Sequence, residues 1–282
     1  MLVIDGNLAA VRARLRSALG YDTGEGYVRV LKRLDPDIEA DIVCPADADI
    51  ALPAGVALGD YDGVTMTGSA LNIYNGGAPV ERQIALAQAV FTAGVPFFGS
   101  CWGLQVAVTA AGGRVHRNPL GREFGFARRI QLTENGRDHS LYGGKPPVFE
   151  APTIHLDAIA VLPAGAVVLA HNDMGLQAAA FTWQRSVFWG VQYHPEYDPV
   201  DLAAVAERYG KRLVEEKIFD SEAALGDFAA EMRRLQADPG DAALIWKHGI
   251  GAGITDAATR LLEIRNWLKH RVMPRVCDRL TP

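Results

Sequence analysis

Residues 95–105, Val-Pro-Phe-Phe-Gly-Ser-Cys-Trp-Gly-Leu-Gln, join a short apolar run to a helix-forming stretch through Gly-x-Cys-x-Gly. Consecutive apolar positions suit a strand buried on both faces, as in parallel sheets covered by helices. The residue at the centre of such a junction sits in a strained turn, where side chains two positions before and after would strike neighbouring backbone. Gly99 and Gly103 remove that collision. The turn lifts the Cys101 sulfur above the sheet edge, at a helix N-terminus whose unpaired N–H groups and dipole favour a thiolate. The Trp102 N–H is then placed to stabilise an oxyanion. A free cysteine is more often a small buried apolar group, so the chemical reading depends on what else the chain supplies.

A thiolate nucleophile needs a base. Of the seven histidines, His194 in Val191-Gln192-Tyr193-His194-Pro195-Glu196 stands out. It closes the apolar run 187–193, and Pro195 stops a strand ladder there. Open α/β sheets place their sites at the carboxyl ends of strands, where the Cys101 turn would also lie. With the chain extended, Glu196 would project to the same side as His194 and fix its tautomer. The competing reading is a strand-capping histidine beside an unrelated surface glutamate. A metal site from His155, His171 and His194 lacks recognised ligand spacing. The order Cys…His-x-Glu fits neither the α/β-hydrolase order, with acid before histidine, nor a papain-like arrangement.

Around these motifs the chain falls into two styles. Up to about residue 198, β-branched runs alternate with helical patterns, predicting a doubly wound α/β fold on a largely parallel sheet with flanking helices. Strands are expected at 2–4, 38–43, 63–67 and 95–99, helices at 80–93 and 101–111, and a strand-rich stretch from 126 to 191. Asp5-Gly6-Asn7 reads as a turn after the first strand. From residue 201 the pattern is helical over 201–218, 221–236 and 255–272, broken at Asp238-Pro239-Gly240. The division expected is a domain over 1–200 and a helical C-terminal extension over 201–282, packed on the sheet or on a partner; a separate C-terminal domain is the rival.

Composition removes several classes. With 28 basic and 33 acidic residues and a net charge of −5, the chain lacks the basic excess of a nucleic-acid binder. Three dispersed cysteines suit neither a disulfide framework nor a CxxC metal site, and fit a reducing, cytoplasmic setting. The N-terminus has no signal-peptide pattern, and no run approaches the ~18 apolar residues of a membrane span.

Gly-Ser-Cys-Trp-Gly-Leu-Gln together with Tyr-His-Pro-Glu resembles the class I (triad type) glutamine amidotransferases, most nearly the GMP-synthase-type amidotransferase domain and its stand-alone relatives. The likeness spans roughly residues 40–198. Val64–Ser69 resembles the family's third strand and oxyanion turn. Gly121–Gly125 with Ile130–Thr133 resembles the segment after the nucleophile helix, and Thr153–Asp157 the stretch that carries a Ser-His pair. The resemblance implies Cys101 as nucleophile, His194 as base and then acid, and Glu196 as its orienter. It implies backbone N–H groups of Gly68 (or Ser69) and Trp102 as the oxyanion hole, with Ser69 and Gln105 helping to seat glutamine. No role passes to His155. The usual Gly-Gly-Pro turn is here Thr67-Gly68-Ser69, and bulky Trp102 is expected to narrow the mouth.

The activity so implied is hydrolysis of the glutamine γ-amide through a γ-glutamyl thioester, giving glutamate and ammonia without a cofactor or metal. No SGGxDS-type loop or Walker A string is found, so an ATP-dependent synthetase that used the ammonia would be a separate subunit. Two alternatives stand beside it: a γ-glutamyl peptide or amine hydrolase acting alone, and an inactive amidotransferase-like regulatory subunit. Homo-oligomerisation is left open.

Overall fold

The computed structural model describes residues 1–49 and 51–280. Among the described residues are eleven strands: β1 (Leu2–Ile4), β2 (Asp41–Val43), β3 (Val64–Met66), β4 (Phe97–Ser100), β5 (Arg114–Arg117), β6 (Glu123–Leu132), β7 (Val148–His155), β8 (Asp157–Val161), β9 (Val167–Asn172), β10 (Gly175–Trp183) and β11 (Ser186–Val191). Nine form one sheet in the order β2-β1-β3-β4-β11-β10-β9-β6-β7, while β5 and β8 make a separate antiparallel ribbon. The half from β2 to β11 is parallel throughout. The strand-rich stretch expected after residue 126 supplies an antiparallel wing beyond β11.

Side-chain alternation along the central strands assigns each face its cover. Leu2, Ile4, Val64, Met66, Phe97 and Phe188 point into one core, under α3 (Ala78–Ala93) and α4 (Trp102–Ala110), which follow α1 (Ala9–Leu19) and α2 (Thr23–Leu34) in the chain. Val3, Phe98, Trp189 and Val191 point into the opposite core with Tyr27 and Leu31 of α2. That second face is completed from far along the chain: Leu261, Ile264, Trp267, Leu268 and Val272 pack on it, with Trp267 5.7 Å from Phe98 between ring centroids.

The remaining helices are α5 (Glu134–Asp138), α6 (Pro199–Tyr209), α7 (Lys211–Glu215), α8 (Glu222–Ala237), α9 (Ala242–His248), α10 (Ala252–Thr255), α11 (Ala257–Arg260), α12 (Leu262–Trp267) and, after a π-helical turn at Leu268–Val272, α13 (Met273–Leu280). The helix expected over 201–218 is interrupted at Gly210 (φ 40°, ψ −116°), which turns α7 away from α6. The run 255–272 is also segmented. Asp256 stops α10 and caps α11, its carboxylate accepting from the Ala258 and Thr259 N–H groups, a local bond that competes with continued helix. Phe228 of α8 packs on Phe124 and Phe126 of β6, so these helices also close on the antiparallel wing. Among the described residues no helix is long and apolar enough to cross a membrane.

Candidate active site

The carboxyl ends of β1, β3, β4 and β11 converge on one edge of the parallel half, at the switch in strand order between β1 and β3. This is where open α/β sheets bind ligands. Cys101 follows β4 directly, with φ 52° and ψ −102°, a conformation non-glycine residues rarely adopt. Its N–H donates to the Val191 carbonyl at 2.7 Å and its thiol to the Ile154 carbonyl at 3.5 Å. The flanking glycines act as the sequence suggests. A Cβ on Gly99 would lie 2.4 Å from the Gly103 carbonyl carbon, and one on Gly103 would lie 2.4 Å from the Met66 oxygen. Trp102 begins α4, so its N–H has no acceptor within that helix and faces the site end.

The Trp102 ring does not narrow the mouth. It is fully buried, and its Nε1 donates to Gln83 Oε1 of α3 at 2.7 Å. Gly6 accommodates it; a Cβ there would come within 2.6 Å of the ring. The indole is core, held beneath α3 because burying it on the apolar side satisfies both its surface and its donor.

His194 reaches the site differently from the extended chain expected. β11 ends at Val191, and His194-Pro195-Glu196-Tyr197 forms a turn closed by the Tyr197 N–H on the His194 carbonyl at 3.1 Å. Proline at the second position presets that turn. The turn, not strand alternation, brings Glu196 Oε1 to 2.8 Å from His194 Nδ1. The His194 N–H is tied to the Pro152 carbonyl at 2.8 Å, and the Tyr197 ring stacks on the imidazole at 4.0 Å. Burial pulls the His194 pKa down, but the charges of Glu196 and Cys101 and the hydrogen bond to Glu196 outweigh it and raise the value from 6.5 to about 10. The Glu196 carboxylate thus favours the charged form of the ring.

Gly68 faces His194 across the site: a Cβ would lie 2.4 Å from Cε1. Its loop is pinned by Asn7, whose Nδ2 donates to the Gly68 carbonyl at 3.1 Å and whose Oδ1 accepts from the Ala70 N–H at 3.0 Å. Asp5, buried under the same loop, accepts from the Asn7 and Gly24 N–H groups, and burial pushes its pKa up to about 6 against those bonds. Asn7 was legible only as a turn residue after β1; its place at the carboxyl edge of the sheet is the signal that marks it as a positioning group.

Ser69 and Gln105 line the same pocket as Cys101. The Ser69 hydroxyl donates to the Gly6 carbonyl at 2.7 Å, and Gln105 donates to Gln192 at 3.3 Å. His155, at the end of β7, bonds Glu123 at 2.8 Å and the Asp157 carbonyl at 3.0 Å. The pocket is also walled by Arg122, Asp157, Tyr209 and Arg212, the last two from the helical C-terminal part. Among the described residues no group of three or more His, Cys, Asp or Glu side chains is arranged to hold a metal ion.

Residues 22–204 match the family model of glutamine amidotransferase class-I. Over 279 residues the chain is 35% identical to a γ-glutamyl-L-1-hydroxyisopropylamide hydrolase of a Pseudomonas species, covering 97% of this chain and 93% of that one. It is 34% identical to the GMP synthase of Streptomyces coelicolor over 133 residues, 47% of this chain and only 23% of the synthase. The fold is shared with a glutamine amidotransferase of Thermotoga maritima (TM-score 0.64, 16% identity, 96% and 97% of the two chains). It is shared also with a glutamine amido transferase of Methylobacillus flagellatus (TM-score 0.59, 19% identity, 99% and 94%).

Proposed function

The chain belongs to the class I glutamine amidotransferase family and is an amidohydrolase, and from that premise we propose that it hydrolyses γ-glutamyl amides through a thioester on Cys101, acting without a synthetase. The observation that carries the chemistry is the strained Cys101 at the start of α4, on the same sheet edge as an imidazole locked onto Glu196.

In the proposed reaction the Cys101 thiolate attacks the γ-carbonyl carbon. The Gly68 and Trp102 N–H groups take the developing oxyanion, and such a donor contributes roughly 10²–10³-fold. The His194 imidazolium gives its proton to the departing nitrogen as the C–N bond breaks, releasing ammonia or an amine. The neutral imidazole then takes a proton from water, whose hydroxyl displaces sulfur and frees glutamate. Glu196 holds the ring in place.

Two observations favour an amine-bearing γ-glutamyl amide over free glutamine delivered for synthesis. The similarity to the Pseudomonas hydrolase runs the length of both chains, whereas GMP synthases are matched over less than half of theirs, 23% and 45% in two of them. Tyr209 and Arg212 also wall the pocket with residues of this chain itself. The second reading, a glutaminase subunit for a separate ATP-dependent synthetase, rests on the GMP synthase likeness. The test is turnover of γ-glutamyl isopropylamide against glutamine by purified protein, with mass-spectrometric detection of a γ-glutamyl adduct on Cys101. Amide hydrolysis that survives Cys101→Ala rejects the mechanism; strong preference for glutamine, raised further by an added synthetase, favours the second reading.

A further inference from the structure

The pocket that holds Cys101 carries charge of both signs on its outer wall. Arg122, whose side chain is only 4% exposed, is gripped through two bonds by Glu216, at 2.6 and 3.1 Å, and lies over the Tyr209 ring. Arg212 donates to the same carboxylate at 3.1 Å. Two guanidinium groups thus share one carboxylate, and this corner keeps a positive surplus. Asp157 stands in the same pocket and is held by neutral donors: Asn72 Nδ2 on one oxygen and the Tyr74 hydroxyl on the other, each at 2.9 Å. Among the described residues no cation forms an ion pair with it, so its charge is left to act on whatever enters. Arg122, Arg212 and Asp157 line one pocket with Cys101, so the two corners face the same small volume.

We infer that this wall is a subsite for the α-amino-acid end of the substrate, with Arg212 on the positive corner taking the α-carboxylate and Asp157 taking the α-ammonium group. A γ-glutamyl group carries those two charges on one carbon, a short methylene chain away from the carbonyl that Cys101 attacks. Arg122 is committed to Glu216 and shaped by Tyr209, and serves as the fixed base of the corner. Arg212, half-exposed, is free to swing one face of its guanidinium to a carboxylate. The helical C-terminal part therefore contributes a specificity-determining residue: α7, turned by the break at Gly210, brings Arg212 to the site.

This inference rests on the amide-hydrolase reading above, and its test separates the two. Three amides are compared on the full chain: γ-glutamyl isopropylamide, glutaric acid mono-isopropylamide (no α-amino group) and 4-aminobutanoyl isopropylamide (no α-carboxylate). Arg212→Ala should lower kcat/KM about tenfold, mainly through KM, for the two substrates that bear the carboxylate, and spare the third. Asp157→Asn should lower it for the two that bear the amine and spare glutaric acid mono-isopropylamide, and Arg212→Lys should recover part of the Arg212→Ala loss. Equal losses on all three substrates, or none, overturn the subsite while Cys101-dependent hydrolysis stands. Absence of Cys101-dependent turnover on every amide removes the hydrolase reading and the subsite with it.

Discussion

Gly68 and His194 meet so closely that the smallest side chain cannot be placed between them: a methyl group on Gly68 would lie 2.4 Å from the imidazole Cε1. The loop after β3 and the turn after β11 are thus fitted to each other across the sulfur. Gly68→Ala should push the ring away from Cys101 and lower kcat about 100-fold, the scale of an ångström-sized displacement of a catalytic group. Thermal unfolding should change little, since the loop remains anchored by Asn7. Undiminished kcat in a folded Gly68→Ala protein would show that the contact has no part in catalysis.

The His194 pKa sets a direction for pH dependence. Burial opposes the charged ring, but Glu196 and Cys101 more than reverse that and carry the pKa from 6.5 to about 10. In the proposed mechanism the group that protonates the leaving nitrogen is therefore present through neutral pH, and kcat/KM should fall on the alkaline side toward pH 10. Glu196→Gln removes the largest of the raising influences, so the alkaline limb should move to lower pH along with a loss of rate. The same shift bears on stability: the contribution of His194 is complete below pH 6.5 and is lost as pH rises through about 10. A pH–rate series on both proteins reads the first effect, and denaturant titrations between pH 6 and 10 the second.

Lys145 and Glu263 form an ion pair at 2.9 Å with both side chains almost wholly buried. Glu263 also accepts from the Tyr193 hydroxyl at 2.6 Å, and Tyr193 in turn bonds Tyr142 at 2.9 Å. Lys145→Met should cost about 3–5 kcal/mol, because it strands a buried carboxylate. Adding Glu263→Gln to it should return a good part of that loss, since the amide still accepts from Tyr193. Urea unfolding of the single and double variants measures the difference.

The unit over residues 1–200 is expected not to stand alone. Val3, Phe98 and Trp189 of the central strands share a core with Ile264, Trp267 and Val272. A chain ended at residue 200 should bind a hydrophobic dye and aggregate. Cooperative unfolding of that fragment as a soluble monomer would mark it as an independent domain.

What the sequence revealed and what it hid follow from range. The Cys101 turn was legible because its demands are local: glycines two residues either side, apolar strand before, helix after. His194 and Glu196 were legible as a pair for the wrong reason, since Pro195 makes a turn where alternation along a strand was assumed. The expected burden of Trp102 on the mouth failed because the direction of its ring is decided by Gln83 and Gly6, which lie far away in the chain. The helices α1 and α2 were not anticipated, although Asp22 and Glu25 form a capping box at the start of α2, a signal available at four-residue range. Arg212 and Tyr209 read as part of a helical face, and only the break at Gly210 and the long-range ion pair from Arg122 to Glu216 bring them to the pocket.

Glu263 and Trp267 lie some seventy residues after the His194 turn, yet one fixes the hydroxyl of the residue before His194 and the other underlies the strand that leads into Cys101. A change at either residue therefore reaches the edge that carries Cys101 and His194 through the strand or the turn it supports.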